Sequence, residues 1–224
     1  MPQAKPKLAL FDLDHTLLCG DSDVLWCDFL MDEGVLPRDE FAARNADMEA
    51  RYKAGTVGVQ EFAEFYVSTL AGRSAAAWEP LRRRFLHEHI VPRIAPGAPA
   101  LVRSHIEAGE LVAITTATNR FITELTAAHF GVQHLIATEA HRDRDIFSGR
   151  TEGTLNMREG KVARLHAWLE QRGARLGDFH STAYSDSVND LPLLQAVDTA
   201  VVVDGDARLL AQAAERGWRA ISLR

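Results

Sequence analysis

The chain has 224 residues, of which 46% are hydrophobic and 25% are charged, and its formal net charge is −6. This length allows one large domain, or a core domain with a smaller second one. The acidic balance argues against a nucleic-acid partner, and two cysteines are too few for a disulfide framework or a cysteine metal cluster.

The first residues, MPQAKPK, are not followed by the apolar core of a secretory signal. No stretch has the about 20 consecutive apolar residues that a membrane span needs. We therefore expect a reducing, cytoplasmic location and no membrane partner. A monomer and a homodimer are both compatible with the sequence.

The first element is predicted at residues 7–11, KLALF, a short apolar run typical of a buried strand. From residue 24 to about 92 the signals are helical. In VQEFAEFYVSTL, for example, apolar residues recur at three- and four-residue spacing and give one apolar stripe. No segment of this region has the pattern of a strand, so residues 20–92 are predicted to be a helical insertion.

After Pro92, short apolar runs alternate with helical patterns. Strands are predicted at 111–115, 134–138, 180–184, 199–203 and 219–223. Helices are predicted at 97–109, 119–131, 161–173, 189–197 and 206–217, and a small hairpin at 141–157. Alternating strands and helices predict an α/β fold, a parallel sheet covered by helices on both faces.

Two carboxylates, Asp12 and Asp14, directly follow the first predicted strand. Ligands of open parallel sheets bind beyond the carboxyl ends of the strands. The two side chains would point the same way if the strand geometry continued, and their repulsion would be relieved by a divalent cation such as Mg²⁺. An aspartate-rich surface turn is the alternative interpretation.

Three further stretches carry polar residues after predicted strands or at predicted helix starts. In YSDSVNDLPLL, Asp186 could complete an oxygen site for a metal, although Asn189 and Asp190 would also serve as a helix cap. In AITTATNR, hydroxyls precede a helix, a position that suits a phosphate oxygen or simple capping. Lys161 stands at a helix start, where a solvated surface lysine is the ordinary interpretation.

The ordered set DLDHT (12–16), Thr116, Lys161 and DSVND (186–190) resembles the haloacid dehalogenase superfamily of Mg²⁺-dependent phosphohydrolases. It is most similar to the phosphoserine-phosphatase-like branch, subfamily IB, whose helical cap is inserted just after the first motif. The resemblance covers nearly the whole chain. It implies a doubly wound, Rossmann-like core at 1–19 and 93–224, with an inserted helical cap domain at 20–92.

The resemblance also implies roles for individual residues. Asp12 would be the nucleophile that forms an aspartyl phosphate, and Asp14 the general acid and base. Mg²⁺ would be held by the Asp12 carboxylate, the Asp14 main-chain carbonyl and Asp186. The remaining implied roles are a phosphoryl contact for Thr116, charge compensation for Lys161, orientation of Lys161 for Asp190, and pocket lining for Ala117 and Asn189.

The substrate is a separate question, because the cap would select the leaving group. In phosphoserine phosphatases an acidic residue after the first motif meets the amino group, a part that Asp21 or Asp23 would play here. A cap arginine meets the carboxylate in those enzymes, but Tyr66 falls at the corresponding position here. This departure favours a cationic leaving group, such as that of histidinol phosphate, unless the aspartates merely face water.

An aromatic wall for such a cation is a related hypothesis, with cap core as the ordinary alternative for these rings. Its candidates are Trp26, Phe29, Phe62, Phe65 and Tyr66. The predicted function is a Mg²⁺-dependent phosphomonoesterase acting on a small-molecule phosphate ester. The alternatives are a phosphoserine phosphatase, a phosphotransferase with the same site, and a catalytically idle ligand-binding member of the fold.

Overall fold

A single mixed sheet forms the centre of the computed structural model, which describes residues 5–224. The predicted core segment begins at residue 1, so its first four residues lie outside the described part. The strands are β1 (Lys7–Phe11), β2 (Leu111–Asn119), β3 (His134–Asp143), β4 (Ile146–Glu152), β5 (His180–Ser185), β6 (Thr199–Val203) and β7 (Arg219–Ile221).

The helices follow the predicted order along the described chain. They are α1 (Ser22–Asp32), α2 (Arg38–Ala54), α3 (Val59–Ser68), α4 (Ala75–Phe85), α5 (Ala98–Glu107), α6 (Arg120–His129), α7 (Glu159–Glu170), α8 (Leu191–Ala196) and α9 (Ala207–Arg216). No helix within residues 5–224 is long and apolar enough to cross a membrane.

The strand order is β4-β3-β2-β1-β5-β6-β7, and every neighbouring pair is parallel except β3 and β4. Alternate side chains of β1 serve opposite faces: Leu8 and Leu10 pack in one apolar cluster, and Ala9 and Phe11 in the other. Helices therefore cover both faces of the sheet, and the predicted α/β, doubly wound fold is confirmed.

Two strands run past their predicted ends. The pairing of β2 with β3 shifts register between Thr116 and Asn119, which carries β2 beyond the predicted end at 115. The last residues of β3 pair antiparallel with β4 and form the predicted hairpin. Most residues of both extensions are polar. A prediction based on apolar runs therefore ends β2 and β3 too early.

Residues 20–92 contain the helices α1 to α4, whose apolar side chains belong to two separate clusters. Trp26 and Phe29 of α1 join Trp78 and Phe85 of α4 in the apolar cluster that also covers one face of the sheet. The helices α2 and α3 share a second cluster around Phe62. The boundaries of the cap at 20 and 92 stay a prediction.

Candidate active site

The central strands β1, β2 and β5 are neighbours in the sheet, and their carboxyl ends meet at one edge. Asp12 follows β1, Thr116 lies in the last part of β2, and Asp186 follows β5. Residues more than a hundred positions apart in sequence are thereby brought together, as expected at the carboxyl edge of a parallel sheet.

Lys161 links two of the buried carboxylates. Its Nζ donates to Asp12 Oδ1 at 2.7 Å and to Asp190 Oδ2 at 2.7 Å, and Ser185 Oγ donates to the same Asp190 oxygen at 2.8 Å. Burial alone would lower the pKa of Lys161, but the two carboxylates raise it above its usual value. Lys161 is therefore a permanent cation beside Asp12.

The turn before Lys161 depends on a glycine. A Cβ added to Gly160 would lie 2.0 Å from the main-chain oxygen of Leu155, a separation that no real Cβ tolerates. Arg158, in the same turn, has φ 51° and ψ −126°. This conformation costs a non-glycine residue about 1–3 kcal/mol. The close approach at Gly160 thus helps to place Lys161 under the strand ends.

Gly160→Ala is expected to lower the free energy of unfolding by about 1–3 kcal/mol, because the main chain must move away from the new Cβ. The direction of this stability change is informative, because alanine in place of glycine normally stabilises a helix by about 0.5–1 kcal/mol. The matched control is Gly177→Ala, where an added Cβ meets nothing within 4 Å. Urea unfolding of both variants checks the prediction, and equal effects of the two would contradict it.

Asp14 is held at both carboxylate oxygens. Its Oδ2 accepts from Thr116 Oγ1 at 3.1 Å and from Thr118 Oγ1 at 3.0 Å, and its Oδ1 accepts from the Ser22 main-chain N–H at 2.7 Å. Thr116 thus bonds to Asp14 here, and its contact with a phosphoryl oxygen stays a prediction. Thr118 was not among the predicted residues, although it belongs to the hydroxyl-rich TTATNR run that drew attention to Thr116.

The Thr16 hydroxyl lies between the carboxylates of Asp12 and Asp186. Thr16 Oγ1 lies 2.9 Å from Asp186 Oδ1 and 3.3 Å from Asp12 Oδ2. Burial raises the pKa of Asp12 to about 7. Burial, followed by repulsion from Asp12, raises the pKa of Asp186 well above its usual value. Both shifts arise mainly because these carboxylates are removed from water.

These residues fit a Mg²⁺ ion. Within residues 5–224 no three His, Cys, Asp or Glu side chains are grouped to hold a metal. The predicted set is of another kind, because only Asp12 and Asp186 contribute side chains and Asp14 contributes its main-chain carbonyl. Two buried carboxylates that approach one hydroxyl supply the kind of oxygen ligands that Mg²⁺ prefers.

A second acidic group lies at the start of α1. Asp21 Oδ1 accepts from the main-chain N–H groups of Asp23 and Val24 and so begins the helix. Burial raises the pKa of Asp21 to about 8, with a smaller contribution from Asp14. Thr118 Oγ1, whose single proton serves one carboxylate at a time, also lies 3.0 Å from Asp23 Oδ2, whereas the buried Asp23 Oδ1 has no hydrogen-bond partner among the described residues.

A small cavity of about 20 Å³ joins these groups, and we call it the inner cavity. It is lined by Asp12, Asp14, His15, Asp21, Tyr52, Phe62, Ala117, Thr118, Asp186 and Ser187. An adjoining outer cavity of about 350 Å³ shares His15, Tyr52, Asp186 and Ser187 with it and is also lined by Asn189. Six predicted site residues line these cavities: Asp12, Asp14, Asp21, Ala117, Asp186 and Asn189. Thr116, Asp23, Lys161 and Asp190 line neither cavity; the first three contact the lining carboxylates or hydroxyls instead, and Asp190 contacts Lys161.

Tyr66 lies away from both cavities. Its ring packs in the apolar cluster of α2 and α3, and its hydroxyl donates to Asn45 Oδ1 at 3.1 Å. The aromatic lining of the inner cavity is instead Phe62 and Tyr52. Phe62 was a candidate for the aromatic wall, and Tyr52 was not.

A family model described as haloacid dehalogenase-like hydrolase matches residues 9–195. The chain belongs to the haloacid dehalogenase-like hydrolases. The resemblance inferred from the motifs and the prediction of an enzyme are thereby confirmed.

Several known proteins are similar to this hydrolase. It is 36% identical to a histidinol-phosphatase of Neisseria meningitidis serogroup C over 97% of this chain and 99% of the relative. It is 32% identical to a phosphoserine phosphatase of Mycobacterium tuberculosis, over 94% of this chain and 68% of the relative. The relatives thus include enzymes named for two different phosphate esters.

Solved structures agree on the fold. A Bordetella pertussis protein, described as of unknown function, superposes with a TM-score of 0.93 at 43% identity, over 99% of this chain and 100% of its own. A substrate-bound phosphoserine phosphatase superposes with a TM-score of 0.70 at 18% identity, over 98% and 94% of the two chains. At that lower identity the likeness concerns the fold alone.

Proposed function

We propose that this haloacid dehalogenase-like hydrolase is a Mg²⁺-dependent phosphomonoesterase that works through an aspartyl phosphate on Asp12. The observation that carries the proposal is the pair of 2.7 Å bonds from Lys161 to Asp12 and Asp190. They orient the Asp12 carboxylate at the wall of the inner cavity and place a fixed positive charge beside it. Phosphoryl transfer needs this combination of positioning and charge compensation.

The proposed reaction uses the two motif carboxylates in turn. An Asp12 oxygen attacks phosphorus, and the bond from phosphorus to the leaving oxygen breaks. As general acid, Asp14 carries a proton in place of one of the hydrogen bonds that it accepts from Thr116 and Thr118, and this proton passes to the leaving alkoxide. Asp14 then takes a proton from the water that attacks phosphorus, and Asp12 and inorganic phosphate are released.

The metal has a defined place in this proposal. The Asp12 carboxylate, the Asp14 main-chain carbonyl and Asp186 would hold Mg²⁺, which would neutralise charge on the phosphoryl oxygens. Lys161 compensates charge on the other side of Asp12, since its Nζ is already bonded to Asp12 Oδ1. A cytoplasmic enzyme acting on a small metabolite is consistent with these parts.

The proposed substrate is an amino-alcohol phosphate, with histidinol phosphate as the leading candidate. Asp21 and Asp23 are both buried, and no lysine or arginine lines the inner cavity in the described chain. A cationic leaving group would supply the missing positive charge, whereas the carboxylate of phosphoserine would add to the repulsion. The similarity to the Neisseria meningitidis histidinol-phosphatase supports the same choice.

Asp21→Asn tests the charge argument. Asparagine caps a helix as well as aspartate does, so the change keeps the start of α1 while it removes the carboxyl group that a bound cation would hold in its ionised form. We expect the wild type to hydrolyse histidinol phosphate with a kcat/KM at least about tenfold above that for glycerol phosphate, a difference of about 1.4 kcal/mol. Asp21→Asn is expected to narrow this ratio severalfold.

The matched control is Asp39→Asn, an exposed aspartate on α2, which is expected to keep the wild-type ratio. Phosphoserine completes the substrate set. Hydrolysis of phosphoserine at or above the rate of histidinol phosphate would contradict the proposed substrate and favour a phosphoserine phosphatase. An unchanged ratio in Asp21→Asn would contradict the role of Asp21.

A further inference from the structure

Tyr52 occupies the junction between the two cavities. It lies near the end of α2 and lines both the inner and the outer cavity. The other residues common to both cavities, His15, Asp186 and Ser187, belong to the strand ends of the core. Within the described residues Tyr52 is therefore the one side chain of the predicted cap that lines both cavities.

The ring of Tyr52 is held rigidly. It stacks on Phe62 of α3 with the ring centroids 4.6 Å apart and the planes 29° from parallel, and Phe62 in turn contacts Tyr66 edge-on at 5.0 Å. Tyr66 is anchored through its hydroxyl to Asn45. Phe62 and Tyr66 thus support the Tyr52 ring where it lines the cavity.

The inner-cavity side of this ring is acidic, whereas Lys53, Arg208 and Arg224 line the outer cavity. Asp12, Asp14, Asp21 and Asp186 line the same inner cavity. The Tyr52 hydroxyl donates no hydrogen bond to any described residue, and its pKa is raised well above the usual value by burial and then by the nearby carboxylates. The ring therefore stays a neutral phenol, with one face stacked on Phe62 and four carboxyl groups lining the same inner cavity.

We infer that Tyr52 is a specificity-determining residue that packs its ring face against the cationic group of the leaving group. The inference rests on the proposed function and deepens it. Asp21 and Tyr52 line the same inner cavity, so both would lie beside an ammonium two carbons from the ester oxygen. An aromatic face contributes about 0.5–2 kcal/mol to binding such a cation, and a neutral leaving group of the same shape gains little from it.

The test compares two esters of equal size. Aminoethyl phosphate carries an ammonium, and propyl phosphate carries a methyl group in the same place. The measured quantity is the ratio of kcat/KM for the charged ester to that for the neutral ester. Tyr52→Leu removes the aromatic face and is expected to lower this ratio about 2- to 30-fold, whereas Tyr52→Phe keeps the face and is expected to hold the ratio within about twofold.

Turnover of propyl phosphate by Tyr52→Leu reports that the variant is folded. If that variant does not fold, Phe62→Leu replaces it, because it removes the ring that supports Tyr52 and is expected to lower the ratio by a smaller factor. A ratio that is unchanged in the leucine variant overturns the inference. An equal fall in Tyr52→Phe also overturns it, because the hydroxyl would then be the contacting group.

The wild-type ratio separates this inference from the proposed function. If the wild type shows no preference for aminoethyl phosphate, the proposed cationic substrate class fails and the inference fails with it. If the wild type prefers aminoethyl phosphate and Tyr52→Leu keeps the preference, only the role of Tyr52 is overturned.

Discussion

Asp12→Asn is expected to abolish phosphate release, with a loss of at least about 10⁴-fold in kcat, the scale seen when a covalent nucleophile is removed. The amide keeps the shape of the side chain and lacks the anionic oxygen that attacks phosphorus. Phosphate release from histidinol phosphate in the presence of Mg²⁺ measures the effect. The matched control is Asp145→Asn, an exposed aspartate in the turn between β3 and β4, which is expected to retain wild-type turnover.

Asp12→Asn also has an expected effect on stability. Measuring it distinguishes a loss of catalysis from misfolding. Burial raises the pKa of Asp12 to about 7, so folding disfavours its charged form. Asparagine removes that penalty, and Lys161 keeps its bond to Asp190. The thermal midpoint of Asp12→Asn in metal-free buffer is therefore expected not to fall below that of the wild type. Wild-type turnover by this variant would contradict the proposed mechanism.

Lys161→Met has the second large expected effect, and it acts on both stability and turnover. The substitution leaves Asp12 and Asp190 buried without their shared cation. Loss of one partner from a buried ion pair costs about 3–5 kcal/mol of unfolding free energy, which urea unfolding measures. Turnover is expected to fall about 10²–10³-fold, since a fixed group that stabilises transition-state charge is lost.

A matched control and a double variant sharpen this prediction. Lys7→Met removes a lysine whose side chain is 61% exposed, and it is expected to change stability by less than about 1 kcal/mol. Adding Asp190→Asn to Lys161→Met removes one unpaired carboxylate, so stability is expected to recover in part while turnover stays low. A stability loss in Lys161→Met no larger than in Lys7→Met would contradict the account of this buried network.

The sequence predicts the sheet and the aspartates well, for a physical reason. Strands buried on both faces appear as continuous apolar runs, and in a parallel sheet their carboxyl ends meet at one edge. Asp12 and Asp186 could therefore be assigned to the same edge of the sheet, although they are 174 residues apart in the sequence. The exact strand ends were less predictable, because the extensions of β2 and β3 are polar and depend on pairing with a neighbour.

Lys161 could be assigned through the family resemblance alone. Its own pattern, a lysine at a helix start, is typical of a solvated side chain. What makes it a buried cation is the close approach of Gly160 to the Leu155 carbonyl and the two carboxylates that receive its bonds. These are contacts between distant segments, and no local spacing encodes them.

The orientation of the cap helices was the hardest part to predict. Tyr66 lies on the apolar stripe of α3, whereas α2 is polar over most of its length and its pattern assigns Tyr52 to no apolar face. Packing of α2 against α1 and α3 decides which of them turns toward the cavity. Tyr66 is buried against Asn45, and Tyr52 lines the site. Thr118, by contrast, could have been found, since it stands two residues after Thr116 in the same run of hydroxyls.

The most direct measurement is the mass of the enzyme after acid quenching during turnover of histidinol phosphate with Mg²⁺. The account predicts a fraction of the chain that carries the added mass of one phosphoryl group, located by peptide mapping on Asp12 and absent from Asp12→Asn. Phosphate release by the wild type with the phosphoryl group on another residue, or continued release by Asp12→Asn, would contradict the central claim that Asp12 accepts the phosphoryl group.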